Sequence, residues 1–286
     1  MRTNDLYRTA KEEGIQVDPI LEQQMQTLTK QSVLILFISR TIQNQIIDTN
    51  SGTLVRFKDR YFVAMCGHSL KKLAKNHDLL LYYGQKDLEA ELREGLGLLN
   101  SPQYIEICKT FLGESRSHPD SESTLGKPDL GFIEITDPLP LLKYDRIFVD
   151  VPIATVDNIQ ANQEIQVVGW PFQSMTREYK INEPYSICTF QTVIVDTYEK
   201  EHQRFYLKYD DFEPEATKHF EAGGSKKLPQ EEPPHPEGLS GAGVWARLPQ
   251  RYALVGIQIG KLGKKLIVMK FKEWVAWAAT EVESGV

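Results

Sequence analysis

The sequence predicts an all-β fold, a barrel or a sandwich, and three observations carry the prediction. Short apolar or alternating runs recur from Val33 to Met269, each bounded by turn residues. Helical spacing is confined to the two ends of the chain. Strands and helices do not alternate, as a parallel α/β sheet would require. At 286 residues, with 41% hydrophobic and 25% charged residues, the chain can bury the core of one large domain or two modest ones.

Taken in order, Asp18-Pro19 is a helix start signal, and Ile20 to Leu28 follows with helical spacing. This N-terminal helix either packs on the body or serves as a handle for a partner. Val33 to Ile38 is a continuous apolar run, read as a buried strand. Thr53 to Phe57 and Tyr61 to Met65 flank Lys58-Asp59-Arg60 as a hairpin. A short helix is possible over Leu70 to Lys75. Further strands are read at Leu79 to Tyr83, Tyr104 to Phe111, Leu130 to Ile135, Ile147 to Val151 and Ile165 to Val168. Beyond them come Ser186 to Val195, Arg204 to Tyr209, Val244 to Ala246, Ala253 to Ile259 and Leu266 to Met269. Glu213 to Glu237 is polar and rich in Pro and Gly, so it reads as a long exposed loop. Phe271 to Val282 carries Trp274, Val275, Ala278 and Val282 at helical spacing and reads as a docked C-terminal helix.

Composition excludes some functions. A net charge of −6 disfavours non-specific nucleic-acid binding, which needs Lys and Arg to neutralise phosphates. No run is long and apolar enough for a membrane helix. Met1 to Gln31 lacks the apolar centre of an export signal, and three cysteines cannot all pair. These give the expectation of a cytoplasmic protein with reduced thiols. No Cys or His pair has ligand spacing, and no phosphate-binding loop is complete, so neither a metal nor another cofactor is expected.

The stretch that can carry chemistry is Gly238-Leu239-Ser240-Gly241-Ala242-Gly243, followed at once by an apolar strand. Glycines on both sides let such a turn expose the Ser240 oxygen and aim successive N–H groups into one concavity. A plain surface turn has the same composition. An acyl-transfer serine needs a base and a group to orient it. His68 lies just past the strand Tyr61 to Cys66, and Asp129 opens the strand Leu130 to Ile135. Taken singly, either is equally an ordinary structural residue. Together, the order His68, Asp129, Ser240 is one of those in which the Ser-His-Asp arrangement occurs.

Several segments resemble the trypsin-like, chymotrypsin-fold serine peptidases. Ser51-Gly52-Thr53-Leu54-Val55 through Cys66-Gly67-His68 resembles the hairpin into the catalytic histidine. Pro128-Asp129-Leu130-Gly131-Phe132-Ile133 resembles the aspartate segment. Gly238-Leu239-Ser240-Gly241, with Val255-Gly256-Ile257 downstream, resembles the nucleophile loop and the next strand. Val168-Gly169-Trp170-Pro171 resembles a strand end common in bacterial members, which suggests a bacterial-type intracellular member.

The resemblance implies two antiparallel six-stranded barrels, about 31–143 and 144–270, inside a peptidase domain of 31–286. An N-terminal helical extension (1–30) and a C-terminal helix (271–283) flank them. It implies His68 as base, Asp129 as its orienting acid and Ser240 as nucleophile, with the N–H groups of Gly238 and Ser240 as oxyanion hole. Gly256, Ile257, Gln258, Ile259 and Gly260 would pair with an extended protein or peptide substrate. The pattern also departs from secreted members. Leu239 stands where those enzymes carry the aspartate that pairs with a freshly cleaved N-terminus. Pro234 stands where trypsin-type enzymes carry the acid that recognises Lys or Arg. The loop is therefore either built active or ordered by something else, such as a regulatory protein partner. A catalytically inactive fold that binds peptides or a partner is the alternative.

Overall fold

The computed structural model describes residues 19–39, 46–71, 77–82, 104–105, 109–112, 129–143, 145–151, 159–170, 188–199, 204–208, 218–221, 224–225, 238–248, 251–263 and 265–284. Helix α1 spans Pro19–Lys30. It is packed on the body: Leu28 is buried, Ile147 N–H donates to the Lys30 carbonyl, and the Arg146 guanidinium donates to the Thr29 and Ser32 carbonyls.

The first sheet holds β1 (Ser32–Ser39), β2 (Ile46–Phe57), β3 (Arg60–Cys66), β4 (His77–Tyr82), β5 (Tyr104–Ile105), β6 (Lys109–Leu112), β7 (Leu130–Ile135) and β8 (Val149–Asp150). Their order is β5-β4-β1-β2-β3-β7-β6, with β8 parallel to β2. Two short helices belong to the same half, α2 (Gly67–Lys71) and α3 (Leu139–Lys143). The β2–β3 hairpin closes through Lys58 and Asp59, both at positive φ (48° and 59°), as the right-handed twist of a two-residue hairpin requires.

The second sheet holds β9 (Glu164–Gly169), β10 (Cys188–Glu199), β11 (Arg204–Lys208), β12 (Lys218–Glu221), β13 (Gly224–Ser225), β14 (Gly243–Arg247), β15 (Tyr252–Leu262) and β16 (Lys265–Lys270). Its order is β11-β16-β15-β14-β9-β10-β12-β13, and β11 also pairs with β10. That extra pairing closes a barrel of β9, β10, β11, β16, β15 and β14, six strands as expected, with β12 and β13 appended to β10. The first sheet is larger than expected and stays open at β5 and β6 among the described residues. The fold is all-β, with two mainly antiparallel sheets in the chymotrypsin-like arrangement, the second closed as a barrel and the first open among the described residues, and a C-terminal helix.

Burial explains the apolar runs. Val63 and Met65 of β3 enter one cluster with Val33, Ile35 and Phe37 of β1, inside the first sheet. Phe62, Ala64 and Cys66 enter another that includes Leu254 and Ile257 of β15. A strand buried on both faces loses the polar alternation of a half-exposed one. The last helix, α4 (Phe271–Ser284), leaves the second barrel and docks on the first sheet. Trp274 is buried, lies edge-on to Phe132 with ring centroids 5.6 Å apart, and donates its indole N–H to the Gly131 carbonyl at 3.0 Å.

Four readings change. The run Tyr104 to Phe111 is two strands, β5 and β6, with 106–108 outside the described residues. Ile147 to Val151 contributes only the two-residue β8. The short helix after β3 starts at Gly67 rather than Leu70, with 72–76 outside the described residues. The stretch read as the loop Glu213 to Glu237 contains the β12–β13 hairpin. Its partner is the start of β10, where Cys188 pairs with Phe220 and Phe190 with Lys218. That long-range edge satisfies backbone groups in a segment whose composition alone favours a loop.

Candidate active site

Strand register places the histidine beside the aspartate. β3 and β7 are antiparallel, with Cys66 opposite Leu130, so Asp129 stands next to the chain leaving β3. Gly67 N–H donates to the Asp129 carbonyl at 3.2 Å. His68 N–H donates to Asp129 Oδ1 at 2.7 Å, and the ring Nδ1–H donates to Oδ2 at 2.5 Å. Asp129 is buried at 2% exposure. A buried carboxylate needs such charge-assisted donors, and two from one residue fix both the tautomer and the ring plane.

The other ring nitrogen meets a residue the sequence reading passed over. His68 Nε2 lies 3.7 Å from Cys66 Sγ, which is also 3.0 Å from Ser69 Oγ. Burial opposes charge on the ring. Electrostatic interaction with Cys66, hydrogen bonds to Asp129 and Cys66, and the Asp129 carboxylate outweigh it, so the ring's pKa is pushed up from 6.5 to about 11. Among the described residues, no hydrogen bond joins Ser240 Oγ to His68. The sequence signal was available, since Cys66 stands two residues before His68 at a strand end.

Ser240 sits in a turn held by its carbonyls. Ser51 Oγ–H donates to the Gly238 carbonyl at 2.7 Å, and Ala242 N–H donates to that of Leu239 at 2.7 Å. Ser51 N–H donates to the Ser240 carbonyl at 3.0 Å, Thr53 Oγ1–H to that of Gly241 at 3.2 Å, and Gln258 N–H to that of Ala242 at 2.9 Å. Five successive carbonyls are thus occupied. Among the described residues, the N–H groups of Gly238, Leu239 and Ser240 donate to no backbone carbonyl. Gly238 and Ser240, the two donors the sequence reading named, are among them. Gly238 and Gly241 have φ of +83° and +94°, which only glycine adopts cheaply. A Cβ on Gly241 would lie 2.0 Å from the Ser51 carbonyl oxygen, so the turn lies directly on β2.

The same strand reaches the histidine. Asn50, next to Ser51, accepts a hydrogen bond from Ser69 Oγ on its Oδ1 at 3.0 Å. One dipeptide of β2 therefore touches both the His68 helix and the Ser240 turn. Leu239, where an aspartate switch would sit, is fully buried among Ile165, Val167 and Val244 of the second barrel. An apolar plug replaces the ion pair.

The segment Gly256 to Gly260 lies on β15 and differs along its length in what pairs with it. Gly256 and Ile257 are flanked on one side by Val244 and Gly243 of β14 and on the other by Lys270 and Met269 of β16. Gln258 N–H donates to the Ala242 carbonyl, and its carbonyl accepts from Gly241 N–H of the Ser240 turn. Ile259 and Gly260, beyond the last β14 pair, are the part of the segment where that edge is clear of β14. Pro234 lies outside the described residues. No helix among the described residues is long and apolar enough to cross a membrane.

No protein-family model matches this chain, and no curated protein does. Among solved structures, the chain is similar in fold to the crystal structure of a scabies mite inactivated protease paralogue, S-I1. The TM-score is 0.52 at 12% identity, covering 90% of this chain and 96% of that one. The likeness is one of fold. It lends no support to the narrower reading of a bacterial-type intracellular member.

Proposed function

We propose that the protein is a serine endopeptidase acting on protein or peptide substrates in the cytoplasm. Ser240 Oγ attacks the scissile carbonyl while His68 Nε2 takes its proton, and His68 returns that proton to the leaving amine. Asp129 holds the ring tautomer and balances its charge. The Gly238 and Ser240 N–H groups receive the oxyanion, each donor being worth about 3 kcal/mol. Water then hydrolyses the acyl-enzyme. The observation that carries this reading is the hydrogen-bond pattern of the Ser240 turn: five carbonyls are tied down, while the N–H groups of Gly238, Leu239 and Ser240, which include the two an oxyanion needs, donate to no backbone carbonyl among the described residues.

The test is labelling of the purified chain with a fluorophosphonate probe from neutral to alkaline pH. Labelling of the wild type that is lost in Ser240→Ala and His68→Ala is the expected result. A folded wild type that never labels overturns the reading. It would favour the second one, a catalytically inactive fold that binds peptides or a partner. Two observations favour that alternative: the similar structure is of an inactivated paralogue, and His68 Nε2 faces Cys66.

A further inference from the structure

We propose that Ser51 is a positioning residue that locks the entry to the Ser240 turn through a hydroxyl relay between the two barrels. Ser51 is fully buried on β2 of the first sheet. Its Oγ accepts from Trp170 N–H at 2.7 Å, just past β9 of the second barrel, and donates to the Gly238 carbonyl at 2.7 Å. Its N–H donates to the Ser240 carbonyl at 3.0 Å. One residue thereby makes three bonds to the two segments that must stay in register. The approach is close: a Cβ on Gly169 would stand 2.7 Å from Ser51 Oγ.

The physical argument turns on Gly238. At φ +83° it has no Cβ to restrict its rotation, and the buried Leu239 anchors only the chain after it. A glycine peptide in this setting turns at little cost unless its carbonyl is held. With the carbonyl tied to Ser51 Oγ, the Gly238–Leu239 peptide plane is fixed, and the chain enters the Ser240 turn in one orientation. The relay orders the turn from within the fold. The catalytic consequence rests on the peptidase reading; the ordering of the turn does not.

The experiment uses the full-length chain, with Ser51→Ala removing the hydroxyl. Ser51→Cys keeps nearly the same volume and offers only a weak S–H donor, as a second variant should the first fail to fold. Amide hydrogen exchange across Gly238 to Ala242 and fluorophosphonate labelling are read in parallel with a melting curve. Exchange of the Gly241 and Ala242 amides is expected to speed up about tenfold or more. Labelling and kcat are expected to fall about 10- to 100-fold with KM within about twofold, as for a turn whose serine and N–H donors are no longer held in place. Unchanged exchange in both variants overturns the proposal, whatever the activity. So does faster exchange with labelling and kcat at wild-type levels. If the wild type never labels but exchange still accelerates in the variants, the peptidase reading falls and the relay stands.

Discussion

Cys66→Ala tests how the histidine is controlled. In the resting structure Cys66 Sγ is 3.7 Å from His68 Nε2, the atom that must take the serine proton. Burial disfavours the charged ring, but Cys66 and Asp129 together hold its pKa at about 11. A base works only when neutral. At pH 7.5 a group of pKa about 11 is neutral in roughly one molecule in 3,000. The sign follows: labelling of Ser240 in the wild type rises with pH, about tenfold per unit, and levels off only near pH 11. Removing the sulfur removes the largest contribution that raises the ring, and Asp129 remains. The His68 midpoint should then fall, and the neutral fraction of the ring near pH 7.5 should rise. Cys66→Ala is therefore expected to label faster than the wild type near neutrality, at a stability cost of about 1 kcal/mol for the lost buried atom. The assay is a titration of the His68 ring signal by NMR in both proteins, with labelling rates at matched pH. Equal His68 midpoints in the two proteins, or a wild-type midpoint near 6.5, would refute the reasoning.

Asp129→Asn keeps the size of the side chain but presents an amide to the ring, stabilising the wrong tautomer. Turnover should drop on the order of ten-thousand-fold with little change in the melting curve, and a loss below about tenfold would argue against a positioning acid. Gly241→Ala combines φ +94° with a Cβ 2.0 Å from the Ser51 carbonyl, so it should cost about 3 kcal/mol or more and lower the melting temperature sharply. A melt within a degree or so of the wild type would mean the turn does not lie on β2 as described. Asp59→Gly relieves a left-handed non-glycine residue at the hairpin tip (φ 59°) and should raise stability by up to about 1 kcal/mol, read from denaturant midpoints. A lower midpoint would show that the Asp59 side chain contributes more than its backbone strain costs.

Much of this molecule is local in origin, and so was legible in the sequence. Apolar runs buried on two faces mark β1 and β3, paired left-handed residues close the β2–β3 hairpin, and glycines on either side of Ser240 allow its turn. The helices at Pro19 and Phe271 announce themselves by period and start signal. These depend on backbone sterics and on side-chain periodicity, which neighbours in sequence determine. The decisions taken by tertiary structure concern residues far apart in the chain. Register between β3 and β7 brings Asp129 to His68 across 61 positions, and burial then turns Cys66 from an ordinary strand residue into the ring's second partner. The β12–β13 hairpin exists because β10 offers an edge to it. Ser51 reads as a small residue before a glycine, and only packing 187 positions away makes its hydroxyl the anchor of Gly238. Hydrogen bonds of this kind are specified by geometry between separate elements. A buried hydroxyl has to find partners wherever the fold places them.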